Sequence, residues 1–345
     1  MNMANKTVIH KSLGEGSVVA HVGEYITILF EQGEKKFIYP DSFKAFLKAK
    51  DEDVQAQIQR ELVLAEKQRA IIQQERERTA LLEKERESTK RPPQTRTKTS
   101  TYPRANIAFK CNYCDGGQSD SQIGFDGVCS DKLIHNNIQI ERRAWCSADG
   151  CACYRYYNKR LSRNELDSMC DGDGFVCYES QMLRDWKAMA GIVQNGENKG
   201  KPMKLNRVKA NSLCVLSTRD PQSSEDERYI FAVFLVDETY EGDGHEEGYV
   251  TTKSVYKLKL SPNEARAMFF WNYHANSNNP DIPAWNTGLH RYFDDDQAAR
   301  MLKDIAELKE GTAQEELSKD FLAHFCTING VDVANIPPRS GALVK

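Results

Sequence analysis

An α+β multidomain fold is predicted by three observations. Glycine-punctuated segments with alternating apolar residues fill the first part of the chain, the mark of short strands. From Asp51 to Arg91 there is then neither glycine nor proline, as in a long polar helix. Finally, six of the ten cysteines fall between Cys111 and Cys153, ahead of a region where strand-like and helix-like segments mix. At 345 residues the chain exceeds the usual single core, so two or three folded units are expected, and with their connections they make five segments. They are a small SH3-like β-barrel (1–48), a long polar helix or weak coiled coil (49–91), a basic linker (92–105), a Cys-rich segment (106–190) and a mixed α+β domain (191–345).

The barrel is read from VIHKSLGEGSVVAH, broken at Gly14 and Gly16, from YITILF with its alternating Ile26, Ile28 and Phe30, and from KKFIYP, which Pro40 stops. Three or four short strands closed by Phe43, Phe46 and Leu47 suit this spacing. The same string, with its H-K-x-x-G-E-G signature and following strand pair, resembles the Tudor/SH3-like module at the carboxyl end of UvrD/PcrA-type helicases. The resemblance covers about 40 residues and implies a docking surface for RNA polymerase, another protein or nucleic acid, without catalysis. Helicase motifs are absent from the rest of the chain.

In the helix, Glu66 with Arg69, Glu75 with Arg78 and Glu83 with Arg86 stand three apart, and Glu87 and Arg91 four apart, each pair adding about 0.2–0.5 kcal/mol. Val54, Ile58, Leu62, Ala65 and Ile72 make a thin apolar stripe, which suits a solvated spacer or a weak coiled coil that forms a homodimer. The following STKRPPQTRTKTSTYPR is too polar to bury a core. Its Lys90, Arg91, Arg96, Lys98 and Arg104 are candidate phosphate contacts; a solvated tether is the alternative.

Net charge is −3, so no global nucleic-acid signature exists and any basic surface is local. No apolar run approaches the roughly 18–20 residues that span a bilayer, and MNMANKTVIHKS lacks a signal-peptide layout. A cytoplasmic protein without membrane contact is expected, and reducing conditions there turn clustered cysteines toward metal rather than disulfides. Cys111-x-x-Cys114 would supply two thiolates from one loop, with a second pair from Cys146, Cys151 and Cys153 beside Asp149 and Gly150; Cys129 would replace one of these or remain a buried thiol. Structural zinc is the expectation; an iron–sulfur cluster and unliganded core thiols are the alternatives. Only His135 lies in the stretch, so a closed thiolate site is favoured over a catalytic one. The C-x-Y-C element is similar to HNH-type treble-clef nucleases, but Asn136 and Asn137 stand where an Asp-His pair would be needed. Cys170, Cys177, Cys214 and Cys326 read as buried thiols.

Three helices are expected farther on: GFVCYESQMLRDWKAMAG, EARAMFFWNYHA after the Ser261-Pro262-Asn263-Glu264 cap, and QAARMLKDIAELK after Asp294 and Gln297. Residues 269–293 combine stacking rings with edge-reading polar groups, as a pocket for a flat ligand would; a helix–sheet core is the plainer reading. NSLCVLSTRDP, RYIFAVFLVDE and W-x-x-G-L-x-R-Y-F together resemble PUA-type modules, including EVE, ASCH and SRA domains. That resemblance implies a PUA-like β core that grips modified bases, with Arg219, Trp271, Trp285 and Arg291 as candidate base contacts; Asn272 and His290 join them as candidate ligand residues. No catalytic motif such as G-x-S-x-G, G-x-x-x-x-G-K or H-E-x-x-H occurs.

The functional expectation is a zinc-stabilised nucleic-acid-binding or adaptor protein that reads modified bases in DNA repair, transcription-coupled processing or defence. A metal-dependent nuclease or base-processing hydrolase is the enzymatic alternative, and a protein-interaction scaffold the third.

Overall fold

A computed structural model describes residues 3, 6–23, 25–63, 102–193, 196–286 and 288–344. The chain divides into two compact units, Met1–Glu87 and Ser88–Lys345.

The first unit contains β1 (Thr7–His10), β2 (Gly14–Val22), β3 (Tyr25–Phe30), β4 (Gly33–Ile38), α1 (Ser42–Ala45), β5 (Leu47–Ala49) and α2 (52–63). Its antiparallel sheet runs β4-β3-β2-β1-β5, and β4 and β5 remain unpaired edges. Among the described residues the expected barrel is therefore not closed. Period-2 alternation puts Val8, Val18, Ile26, Ile28 and Phe30 on one face, where Phe43 of α1 and Val54, Ile58 and Leu62 of α2 join the same core. Gly16 is required beneath Phe30, since a Cβ there would stand 2.6 Å from the ring. The first three positions of the apolar helix stripe thus belong to this core. A dimer seam would have to rest on Ala65 and Ile72, which lie outside the described residues, as do the Glu–Arg pairs from Glu66 to Arg91.

The second unit is built on a mixed sheet, β12-β9-β8-β6-β13, from β6 (Asn106–Lys110), β8 (Leu213–Thr218), β9 (Tyr229–Leu235), β12 (Lys257–Lys259) and β13 (His290–Phe293). All residues of β8 and β9 are buried, explaining why their sequences read as continuous apolar runs. A smaller sheet joins β7 (Lys187–Met189), β10 (Glu238–Tyr240) and β11 (Tyr249–Thr251). Because β6 of the Cys-rich segment pairs with β8 and β13, and β7 with β11, the segments expected at 106–190 and 191–345 share both sheets.

β6 and β8 are parallel neighbours, which requires a long crossover. Here the crossover carries α3 (Asp131–His135), a π-helical turn (Asn136–Ile140), α4 (Ala152–Tyr157), α5 (Arg163–Ser168) and α6 (Tyr178–Asp185). The cysteines therefore leave the sheet at the carboxyl end of β6. Phe125 of the crossover stacks on Phe231 at 4.0 Å, where β9 carries one residue more than β8.

Two expected helices are shorter than their apolar pattern. α6 ends where Trp186 turns left-handed (φ 50°, ψ 48°), and Lys187 begins a strand. α7 (Pro262–Ala267) has the expected capping box, but Met268–Phe270 turn to pair with the start of β9, through Ile230 N–H to Met268 O and Phe270 N–H to Arg228 O. α8 (Asp295–Leu308) starts at its Asp294 cap as expected and packs against α9 (Glu315–Asn329). Among the described residues no helix is long and apolar enough to cross a membrane.

Candidate functional site

Two adjoining cavities lie at the carboxyl end of β6. The smaller, of about 20 Å³, is lined by Cys114, Cys129, Cys146, Cys151, Cys153 and Cys177. Four separate parts of the crossover supply these thiols. Cys114 opens a loop whose turns bring Gly124 (φ +140°) against its own carbonyl; a Cβ on Gly124 would stand 2.2 Å from Cys114 O. Asp115 then accepts from Ser130 N (2.8 Å) and Ser130 Oγ (2.5 Å), tying the Cys114 loop to Cys129, whose carbonyl accepts from Arg163 Nη1 at 2.9 Å. Cys151 caps α4, Cys153 lies in its first turn, and Cys177 caps α6.

The electrostatics follow from that crowding. A hydrogen bond with Cys114 and burial hold the Cys129 thiol well above its ordinary range, and Cys153 and Cys177 act on it as well. Burial likewise raises Cys177, and raises Cys146 to about 12. Cys151 moves the other way, to about 6, because Cys153 donates to it. Cys129 thus meets Cys114 through a hydrogen bond and feels the charge of Cys177 and Cys153.

Cys111 stands apart, and the anticipated C-x-x-C pair is split. Its N–H continues the ladder to Ser217 O, and its Sγ lies 3.4 Å from Met182 Sδ rather than among the other thiols. Cys177, read from sequence as a buried thiol, takes its place in the cluster. Among the described residues no group of three or more His, Cys, Asp or Glu is already arranged to hold a metal ion. The donor set nevertheless suits one: soft thiolates around an ion-sized cavity are the ligands zinc prefers in closed sites.

The larger cavity, of about 320 Å³, shares Asn112, Trp145, Cys177 and Glu179 with the smaller one. Its wall carries the rings of Trp145, Phe175 and Tyr178, with Lys110, Arg143 and Glu179 as charged groups. Arg143 donates to Asn112 Oδ1 and pairs with Glu141, both at 2.5 Å. Tyr178 donates to Glu247 Oε1 at 2.5 Å, while Glu247 Oε2 accepts from Gly191 N, fixing the phenol ring.

The aromatic residues singled out near the carboxyl end lie elsewhere. Trp271 and Trp285 are 0% and 1% exposed, packed with Phe270 and against each other at 6.1 Å. Arg228 and Arg291 cover Trp285, so both indoles have closed faces and belong to the core. Asn272 accepts from Gly341 N–H through its carbonyl, His290 and Arg291 lie in edge strand β13, and Arg219 donates to Ser223 O and faces Glu225. Neither Trp271 nor Trp285 therefore offers an open ring face to a ligand. Arg104 is also committed, with Nη2 2.5 Å from both carboxylate oxygens of Asp295, which removes it from a free phosphate strap; Lys90, Arg91, Arg96 and Lys98 lie outside the described residues.

Comparison with family models, with curated proteins and with solved structures finds no match to this chain.

Proposed function

We propose that this protein is a zinc-stabilised nucleic-acid-binding adaptor. The observation that carries the reading is the gathering of six thiols from four chain segments around one ion-sized cavity, sharing a wall with an aromatic, cation-bearing pocket. Zinc would be held by Cys114, Cys129, Cys153 and Cys177, the set centred on Cys129, with Cys146 and Cys151 beside it. Binding requires these side chains to converge further than they do here. The role is structural: zinc sites in small peptides are worth on the order of 10–16 kcal/mol, enough to order loops that contain little regular structure. Ordering them sets Trp145 and Tyr178, each adjacent in sequence to one of the clustered cysteines, on the wall of the larger pocket.

The amino-terminal unit supports the adaptor part of the reading. Val22, Tyr25 and Ile38 lie in register across β2, β3 and β4, are 75%, 44% and 48% exposed, and form an apolar patch suited to a protein partner such as RNA polymerase.

The test is metal analysis of purified protein together with binding of single-stranded and duplex oligonucleotides across a salt series. One zinc per chain and an affinity that falls with salt are expected. Metal-free protein that retains its shape in chelator, or absence of oligonucleotide binding near physiological salt, would remove the corresponding half of the proposal.

A further inference from the structure

We infer that the larger cavity binds a nucleotide, its base against the rings of Trp145, Phe175 and Tyr178 and its phosphate against Lys110. This rests on the nucleic-acid reading above and names the unit gripped. The cavity volume of about 320 Å³ is that of a small-molecule site. Trp145 and Phe175 are each 48% exposed, so they offer ring faces that the core does not use.

The polar groups narrow the ligand. Glu179 Oε1 accepts from Asn112 N–H at 3.0 Å, which holds the carboxylate in place and leaves Oε2 without a donor among the described residues. A held carboxylate accepts from the amino edge of a base. Lys110 forms no ion pair among the described residues, although it is half-buried. Burial lowers the Lys110 pKa, Glu225 acts to raise it, and Arg228, Arg219 and Arg143 act against Glu225, so an anion entering the cavity would meet a half-buried ammonium that no ion pair among the described residues holds. A purely apolar ligand would leave Lys110 and Glu179 unpaired, and a simple anion would leave the rings uncovered. A flat ring with an N–H edge and an attached phosphate satisfies all three. Free nucleotide and a unit within a single strand share this chemistry.

The experiment titrates the full-length protein with the monophosphates of adenosine, cytidine, guanosine and thymidine, and with single-stranded homopolymers of the same bases, by calorimetry. Lys110→Ala and Trp145→Ala should each weaken binding about tenfold, and Glu179→Gln should weaken the amino-bearing bases relative to thymidine. Trp145 is half-exposed and Glu179→Gln is isosteric; unchanged melting temperatures confirm that these variants fold. Monophosphates binding as tightly as strands identify free nucleotide as the ligand, and binding confined to strands identifies a polymer unit. Strand binding that is indifferent to all three substitutions overturns the pocket assignment while the nucleic-acid reading stands. Monophosphate binding without strand binding does the reverse. Absence of both overturns both.

Discussion

Tyr273 donates its hydroxyl proton to Asp304 Oδ2 at 2.7 Å, and the carboxylate it meets is only 2% exposed. Arg300 pairs with the other oxygen from one turn earlier in α8, and Arg339 Nε reaches Oδ2 at 2.7 Å while its guanidinium lies over the Tyr273 ring. The segment that follows α7, α8 itself and the carboxyl-terminal segment thus meet at one buried charge. Asp304→Asn leaves two guanidinium groups facing a neutral amide, and should cost about 3–5 kcal/mol in urea unfolding.

Removing Cys177 and removing Cys111 should have opposite consequences. If zinc is held as proposed, Cys177→Ser takes away one of the four thiols assigned to it, so zinc content should fall to background. Cys111→Ser changes a side chain beside Met182 and should leave the metal in place. Equal metal loss in both variants, by elemental analysis, would restore the C-x-x-C knuckle.

Gly124→Ala should open the thiol loop. The substitution puts a Cβ 2.2 Å from Cys114 O at a left-handed φ, and backbone at that distance cannot move aside without displacing Cys114. A loss of at least about 2 kcal/mol is expected, together with faster reaction of Cys114 and Cys129 toward a thiol reagent.

Ile58→Ala should destabilise the first unit by about 2–5 kcal/mol, because Ile58 is fully buried in its core. Amide exchange in β3 should accelerate, while β8 and β9 exchange as before. Unaltered β3 protection would mean that α2 does not cover that core.

Acid should weaken the second unit through two histidines. Burial, with Arg291 adding to it, lowers His274 and His290 to about 4, against an ordinary value of 6.5. Their neutral forms therefore stabilise the fold above pH 6.5, and this contribution is lost as pH falls from 6.5 through 4, where only the unfolded chain takes up protons. The expected loss is on the order of 3 kcal/mol per histidine. His274→Phe should flatten the pH slope of unfolding over this window; an unchanged slope would assign it to carboxylates.

How much of this could be read from residues alone differs between local and distant relationships. Capping boxes are local, so Ser261 with Glu264 and Asp294 with Gln297 located two helix starts correctly. The ends were not legible: Trp186 stops α6, and Met268 leaves helix geometry because β9 takes up its hydrogen bond. Trp271 and Trp285 suggested a binding platform by composition, and composition does not say which way a ring faces. The cavity residues Trp145, Phe175 and Glu179 gave no comparable signal, since Trp145 and Phe175 stand beside cysteines and other apolar residues that read as core or metal segments, and a single Glu179 on an expected helix reads as a solvated side chain.

Short-range order is what the sequence determined by itself: alternation in β3, the glycine breaks around β2, the start of α7 and α8, and a dense supply of thiols after β6, all legible within a few residues. Tertiary structure alone decided that Val54, Ile58 and Leu62 cover a sheet, that Arg104 meets Asp295, and that Cys177 rather than Cys111 joins the thiol cluster. The reason is geometric. A residue's partner across a long crossover depends on strand order and on which face of a strand it occupies, and Cys111 is held in the β6 ladder by Ser217, a strand that the chain reaches only after the cluster is complete.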